Sequence, residues 1–105
     1  MQKPRIAVIG AGPSGLTAIK TLLEAGCDNL FAVETQGEVG GNWVFRDTTG
    51  HASVYETTHI ISSKRLSQYS DYPMPRTYPD FPSHRQLLDY FKGYAEHFGL
   101  EKHIR

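Results

Sequence analysis

A single cysteine, Cys27, rules out any disulfide within the chain and argues for a reducing, cytoplasmic compartment. It follows the helix-ending Gly26 and is expected to fill a small buried gap. Net charge is also absent: 11 Lys and Arg balance 11 Asp and Glu. A nucleic-acid binder needs a basic patch or stripe, so the balance excludes that class of partner. No apolar run approaches the roughly 20 residues of a membrane-spanning helix. The start, Met1-Gln2-Lys3-Pro4-Arg5, leads into an apolar strand without a signal core or cleavage site. The histidines show no metal-ligand spacing, so no metal is expected, and His51, His84, His97 and His103 read as surface or cap residues. Repeats, low-complexity tracts and long charge blocks are missing as well. With 105 residues the chain has room for one domain.

What is present is concentrated between Arg5 and Glu34. Arg5–Ile9 reads as a short apolar strand, followed by Gly10-Ala11-Gly12-Pro13-Ser14-Gly15. Residues 14–25 then carry Leu16, Ile19, Leu22 and Leu23 at helical spacing. A second strand, Asn29–Val33, contains the continuous run Leu30-Phe31-Ala32-Val33, the pattern of a strand buried on both faces. It ends at Glu34. This order is a dinucleotide-binding βαβ unit. Gly10 permits the tight turn, Gly12 lets a pyrophosphate approach the backbone, and Gly15 lets the helix pack near the strand. The helix start offers unpaired N–H groups and the positive end of its dipole. Glu34 stands at the spacing of an acid that grips an adenosine ribose, and its charge would repel a 2′-phosphate, which favours FAD or NAD over NADP at this site.

The fold class is therefore α/β, a Rossmann-like dinucleotide-binding fold. A doubly wound sheet needs more parallel strands than the two clear ones here. His103-Ile104-Arg105 stands where another would be welcome, and the expectation is that 1–105 is the amino-terminal portion of a longer protein. Beyond Glu34, Gly40-Gly41-Asn42-Trp43 reads either as a turn before a core Trp or as backbone that approaches a cofactor. Residues 45–82 are irregular apart from a short extended piece over 54–61. Their aromatics argue against disorder and for a segment packed over a ligand or a second domain. Ser62-Ser63-Lys64, preceded by His59, could contact a ligand or be ordinary loop. Ser83-His84-Arg85-Gln86 is a capping box that opens a second helix over 83–99.

Together these motifs resemble the flavin-containing monooxygenases, which oxygenate soft nitrogen and sulfur atoms. The resemblance covers essentially the whole chain. It rests on Gly10–Leu16, Glu34, Gly40–Trp43, Ala52-Ser53-Val54-Tyr55, Ser62-Ser63-Lys64, Asp71-Tyr72-Pro73-Met74-Pro75 and Tyr78–Pro82. It implies that Gly10, Ala11, Gly12, Pro13 and Ser14 hold the FAD pyrophosphate, with Gly15 closing the motif and Glu34 on the ribose. Gly41, Asn42 and Trp43 would line the flavin's path. Ile61 and Ser62 would stand beside the isoalloxazine ring, where many members carry Asn-Ser. Ile61 can make no side-chain hydrogen bond, so His59 is the candidate to take over part of that polar role.

The resemblance further implies NADPH or NADH as co-substrate, held by a second glycine motif and domain that this chain does not contain. The implied activity is oxygenation of a small amine or sulfide by O₂ through a C4a-hydroperoxyflavin, in an intact protein that could be a homodimer. The 105-residue chain by itself is expected to be inactive. A Baeyer–Villiger monooxygenase, an FAD-dependent reductase or oxidase, and a non-catalytic dinucleotide-binding fragment are the alternatives. Phe91-Lys92-Gly93-Tyr94-Ala95-Glu96-His97 matches the start of the Phe-x-Gly-x-x-x-His fingerprint of these enzymes. It falls inside the second helix, with Glu101 at the aromatic position, and reads as coincidence.

Overall fold

The computed structural model describes residues 4–46 and 53–105. Its frame is the expected α/β unit. Strand β1 (Ile6–Ile9) pairs in parallel with β2 (Leu30–Val33), with Ile6 opposite Leu30 and Ile9 opposite Val33. Helix α1 (Pro13–Glu24) makes the crossover. It begins one residue earlier than its apolar spacing suggests, because Pro13 takes the first turn, where a missing N–H costs nothing. A third segment meets the far edge of β2: Ala32 bridges Ile104 in parallel, and the Arg105 N–H donates to the Ala32 carbonyl at 2.8 Å. The order, third segment then β2 then β1, is that of the first half of a doubly wound sheet.

Burial corrects one expectation. Leu30 and Ala32 are buried with Leu16 and Ile19 of α1, but Val33 is 37% exposed and Ile9 is 81% exposed. The run Leu30–Val33 is thus covered on one face by α1, and its continuity did not report burial on both. On the other face Phe31 lies under the guanidinium groups of Arg5 and Arg105, at 5.1 and 4.5 Å from the ring centre. Cys27 is only half-buried, not a core filler.

Helix α3 (His84–His97) carries the capping box at full strength. The Ser83 hydroxyl accepts from the Gln86 N–H, and the Gln86 side chain accepts from the Ser83 N–H at 2.9 Å. The helix buries Leu87, Tyr90, Phe91, Tyr94 and Ala95. Residues 53–82 lie largely against it. Tyr69 packs on Tyr94 with ring centres 4.5 Å apart, and Tyr72 meets Tyr90 at 5.3 Å. Most of the loop aromatics pack into this chain's own core; Tyr55 and Phe81 stay exposed. The expected extended piece over 54–61 reduces to one antiparallel bridge, His59 to Ser83. A short helix, α2 (Lys64–Ser67), capped by Ser63, breaks the irregular segment. His51 and Ala52 lie outside the described residues. Among the described residues no helix is long and apolar enough to cross a membrane.

One side chain departs from its sequence reading. His84 is not a surface residue: it is 1% exposed, donates from Nε2 to the Glu56 carbonyl at 2.9 Å and stacks beside Phe45. Gly93 has a reason unrelated to any fingerprint. A Cβ there would sit 2.5 Å from the Tyr72 hydroxyl. Gly93→Ala should therefore destabilise the fold by about 1–3 kcal/mol through overpacking, despite the better helix propensity of alanine. A urea unfolding curve showing a stabilised variant would contradict this packing argument.

Candidate functional site

The glycine loop between β1 and α1 is built by sterics. Gly10 has φ +98°, the left-handed region that a side chain disfavours. A Cβ on Gly15 would lie 2.1 Å from the Gly10 carbonyl oxygen, so only glycine lets α1 start this close to the strand end. Gly12 is the N-cap of α1, and no side chain caps that helix. By contrast, α2 and α3 are both capped by serine hydroxyls. The first turn of α1 also holds no acidic residue. The positive end of its dipole thus meets no anion from the helix's own first turn.

Glu34 reaches across from the end of β2 to this loop. Its Oε1 accepts from the Ala11 N–H at 2.7 Å and its Oε2 from the Gln36 N–H at 2.9 Å. Partial burial opposes ionisation, but the hydrogen bonds from Gln36, Ala11 and Thr35 outweigh it and hold the carboxyl below its ordinary range. A cavity of about 710 Å³ opens beside it, lined among others by Glu34, Gln36, Val39, Lys92 and Arg105. That volume is in the range of small-molecule sites.

The second glycine pair closes over the first. The Gly40 N–H donates to the Ala11 carbonyl at 3.0 Å. A Cβ on Gly41 would meet the Gly12 Cα at 3.0 Å, and one on Gly40 would meet Leu88 at 2.4 Å. The doublet is needed for backbone to approach backbone and for α3 to dock. Gly41, Asn42 and Trp43 form a short 3₁₀ turn beyond it. Asn42 and Trp43 share a groove of about 510 Å³ with Ser53, Val54, Tyr55 and Thr58. His59, Ile61 and Ser62 do not line that groove. Ile61 is 99% exposed, and the exposed His59 donates from Nδ1 to the Phe81 carbonyl at 2.7 Å. The Ser62 hydroxyl pairs with that of Ser67 at 2.5 Å, and Lys64 donates to the Arg76 and Tyr78 carbonyls. Among the described residues no cluster of His, Cys, Asp or Glu is arranged to hold a metal ion.

A model of flavin-binding monooxygenase-like proteins matches residues 3–105. The chain belongs to that flavin-binding monooxygenase-like family. Mouse flavin-containing monooxygenase 5 is 46% identical over 107 residues, covering all of this chain and 20% of the mouse protein. The chain thus spans about a fifth of the length of the curated relatives it matches. Two solved structures share the fold: S-allyl-L-cysteine S-oxygenase from Allium sativum (TM-score 0.87, 24% identity, 95% of this chain and 27% of that one), and NADP⁺-bound cyclohexanone monooxygenase from Rhodococcus sp. Phi1 (TM-score 0.77, 23% identity, 95% and 18%). The Rossmann-like flavin monooxygenase fold read from the sequence is therefore the one observed, and FAD with NADPH are the cofactors typical of the family.

Two sets of contacts around the glycine loop and α1 go beyond the sequence motifs. The Tyr69 hydroxyl donates to the Pro13 carbonyl at 3.2 Å, and Lys20 ion-pairs with both Glu24 and Asp71, tying α1 to the loop. Tyr69 with Pro13, and Lys20 with Asp71, lie far apart in sequence and carry no periodic or motif signal; only Lys20 with Glu24 is a local i,i+4 pair.

Proposed function

We propose that this chain is the FAD-binding portion of an NAD(P)H- and O₂-dependent monooxygenase acting on soft nitrogen or sulfur nucleophiles. The observation that carries the reading is the meeting of Glu34 with the glycine loop at the uncapped start of α1. The donor set fits the cofactor. An anion-seeking helix start suits a pyrophosphate, and an ionised carboxylate beside a cavity suits the hydroxyls of a ribose. On this reading Gly10, Ala11, Gly12, Pro13, Ser14 and Gly15 cradle the pyrophosphate and Glu34 takes the ribose. Asn42 and Trp43 wall the path of the flavin. Bound flavin would supply the chemistry, taking hydride from the nicotinamide and passing oxygen from O₂ to the substrate.

The protein's own work is then to bind, orient and exclude water. Glu34 selects against a 2′-phosphate by charge, so the first site takes FAD and the nicotinamide cofactor must be held elsewhere. Near Ile61, His59 donates from Nδ1 to the Phe81 carbonyl, which orients its ring. His59 is the polar group offered where Ile61 offers none, with Ser62 beside it. His59→Ala should raise the share of NAD(P)H oxidised without product oxygenated; unchanged coupling would remove His59 from the site. The S-oxygenase name of the Allium neighbour supports a sulfur substrate.

The test of the cofactor reading is a titration of the full chain with FAD, ADP and FMN. FAD and ADP should compete for one site and FMN should not bind, because this portion reads the adenylate half. Equal affinity for FMN and FAD, or none for ADP, would overturn it. In the intact enzyme, product formation from a methyl sulfide but not from a cyclic ketone separates this activity from Baeyer–Villiger oxidation.

A further inference from the structure

We propose that Tyr69 is a positioning residue for the phosphate-binding start of α1, acting through the Pro13 carbonyl on the Ser14 N–H. The inference rests on the dinucleotide reading above. The Tyr69 hydroxyl donates to the Pro13 oxygen at 3.2 Å, across a separation of 56 residues. That oxygen and the Ser14 N–H are the two ends of one peptide unit. A hydrogen bond given to the oxygen polarises the unit and strengthens the N–H as a donor. Ser14 lies in the first turn of the uncapped helix, so the gain is directed at whatever anion sits there.

The hydroxyl is held in place for this role. The Tyr69 N–H donates to the Tyr90 hydroxyl at 2.9 Å, and that hydroxyl in turn donates to the Tyr72 carbonyl. The Tyr69 ring packs between Tyr94 at 4.5 Å and Tyr90 at 5.8 Å. Burial, with the nearby Tyr94, Tyr90 and Asp71, pushes the phenol up to about 12, so it remains a donor across the physiological range. Thr17 is the competing donor to the same oxygen, at 3.2 Å. Its hydroxyl has one proton and lies closer to the Ser14 carbonyl, at 2.9 Å. Tyr69 has no such second choice among the described contacts. Filling the core needs only its ring; the hydroxyl is the part that core packing leaves unexplained.

Tyr69→Phe separates the two, because it keeps the ring and deletes the donor. Affinity for ADP and FAD should fall roughly three- to tenfold. Affinity for adenosine, followed by NMR, should be unchanged, and the Ser14 amide nitrogen should shift in the free protein. A purely structural role would weaken all three ligands together. Tyr78→Phe is the control: it removes a hydroxyl given to the Gln86 carbonyl at 2.9 Å, remote from the loop, and should leave the ADP-to-adenosine ratio alone. An unchanged ratio in Tyr69→Phe overturns the inference while leaving the FAD reading intact. Failure of the wild-type chain to bind either ADP or FAD overturns the FAD reading itself, and this inference with it.

Discussion

Gly15→Ala should abolish FAD binding and cost at least about 3 kcal/mol of stability, the upper end of ordinary overpacking. The new methyl would sit 2.1 Å from the Gly10 carbonyl oxygen and 2.9 Å from its carbon. Both obstacles are backbone, so no rotamer change relieves the contact. Either α1 slides away from β1 or the turn at Gly10 opens. Each movement breaks the hydrogen bonds that shape the loop, from Ala11 to Glu34 and from Gly40 to Ala11. Folded domains are stable by only about 5–15 kcal/mol, so the loss is a large fraction of the whole. Two other glycines calibrate the result. At Gly10 a Cβ meets nothing within 4 Å, and the penalty there comes from φ +98° alone, so Gly10→Ala should cost less than Gly15→Ala. At Gly37 space is open and the backbone ordinary, and Gly37→Ala should be neutral or slightly stabilising. Urea midpoints and FAD titrations of the three variants give the ranking. Gly15→Ala with wild-type stability would mean that helix and strand are not as close as described.

The difference among these glycines also marks what could be read from the chain. Gly10, Gly12 and Gly15 announce themselves because a strand, a turn and a helix follow one another at fixed local spacing. Ser83 and Gln86 were legible for the same reason: both halves of a capping box lie within one turn. The roles of Gly40, Gly41 and Gly93 depend on Leu88, Gly12 and Tyr72, which only the fold brings near. Gly40 and Gly41 read in sequence as a pair that turns the chain or, beside the glycine loop, brings backbone up to a cofactor. The fold adds contacts the sequence does not announce: a Cβ on Gly41 would meet Gly12 and one on Gly40 would meet Leu88. His84 reads in sequence as a surface or cap residue, whereas Phe45 and the Glu56 carbonyl enclose it. Ser62-Ser63-Lys64 reads in sequence as either a ligand contact or ordinary loop, and its hydrogen bonds to α2 and the proline-rich loop follow only from the fold. Residues with a fixed local or motif spacing, Glu34 included, are visible in sequence; residues whose distant partners follow no fixed spacing are not.

Glu34→Gln should weaken FAD binding by about tenfold to a hundredfold, from the roughly 1.5–3 kcal/mol that a charged hydrogen bond contributes. Glutamine keeps an oxygen for the Ala11 N–H, so the glycine loop should hold its shape, although its NH2 cannot accept from the Gln36 N–H as the second carboxylate oxygen does. What it loses is the charge that strengthens bonds from ribose hydroxyls and repels a 2′-phosphate. The same variant should therefore discriminate less between ADP and its 2′-phosphorylated form, a change that simple unfolding cannot produce. The pH dependence has a defined sign. The folded-state pKa of Glu34 lies below its ordinary value, so its contribution is complete above about 4.3–4.5 and is lost as pH falls through the depressed value. Wild-type affinity for FAD should decline over that acidic window, and Glu34→Gln should be flat across it. Matching affinities at neutral pH, together with matching acid profiles, would assign the carboxylate to the Ala11 and Gln36 amides alone. The ribose would then need another partner, and the grip on the adenylate half would have to come from the helix start.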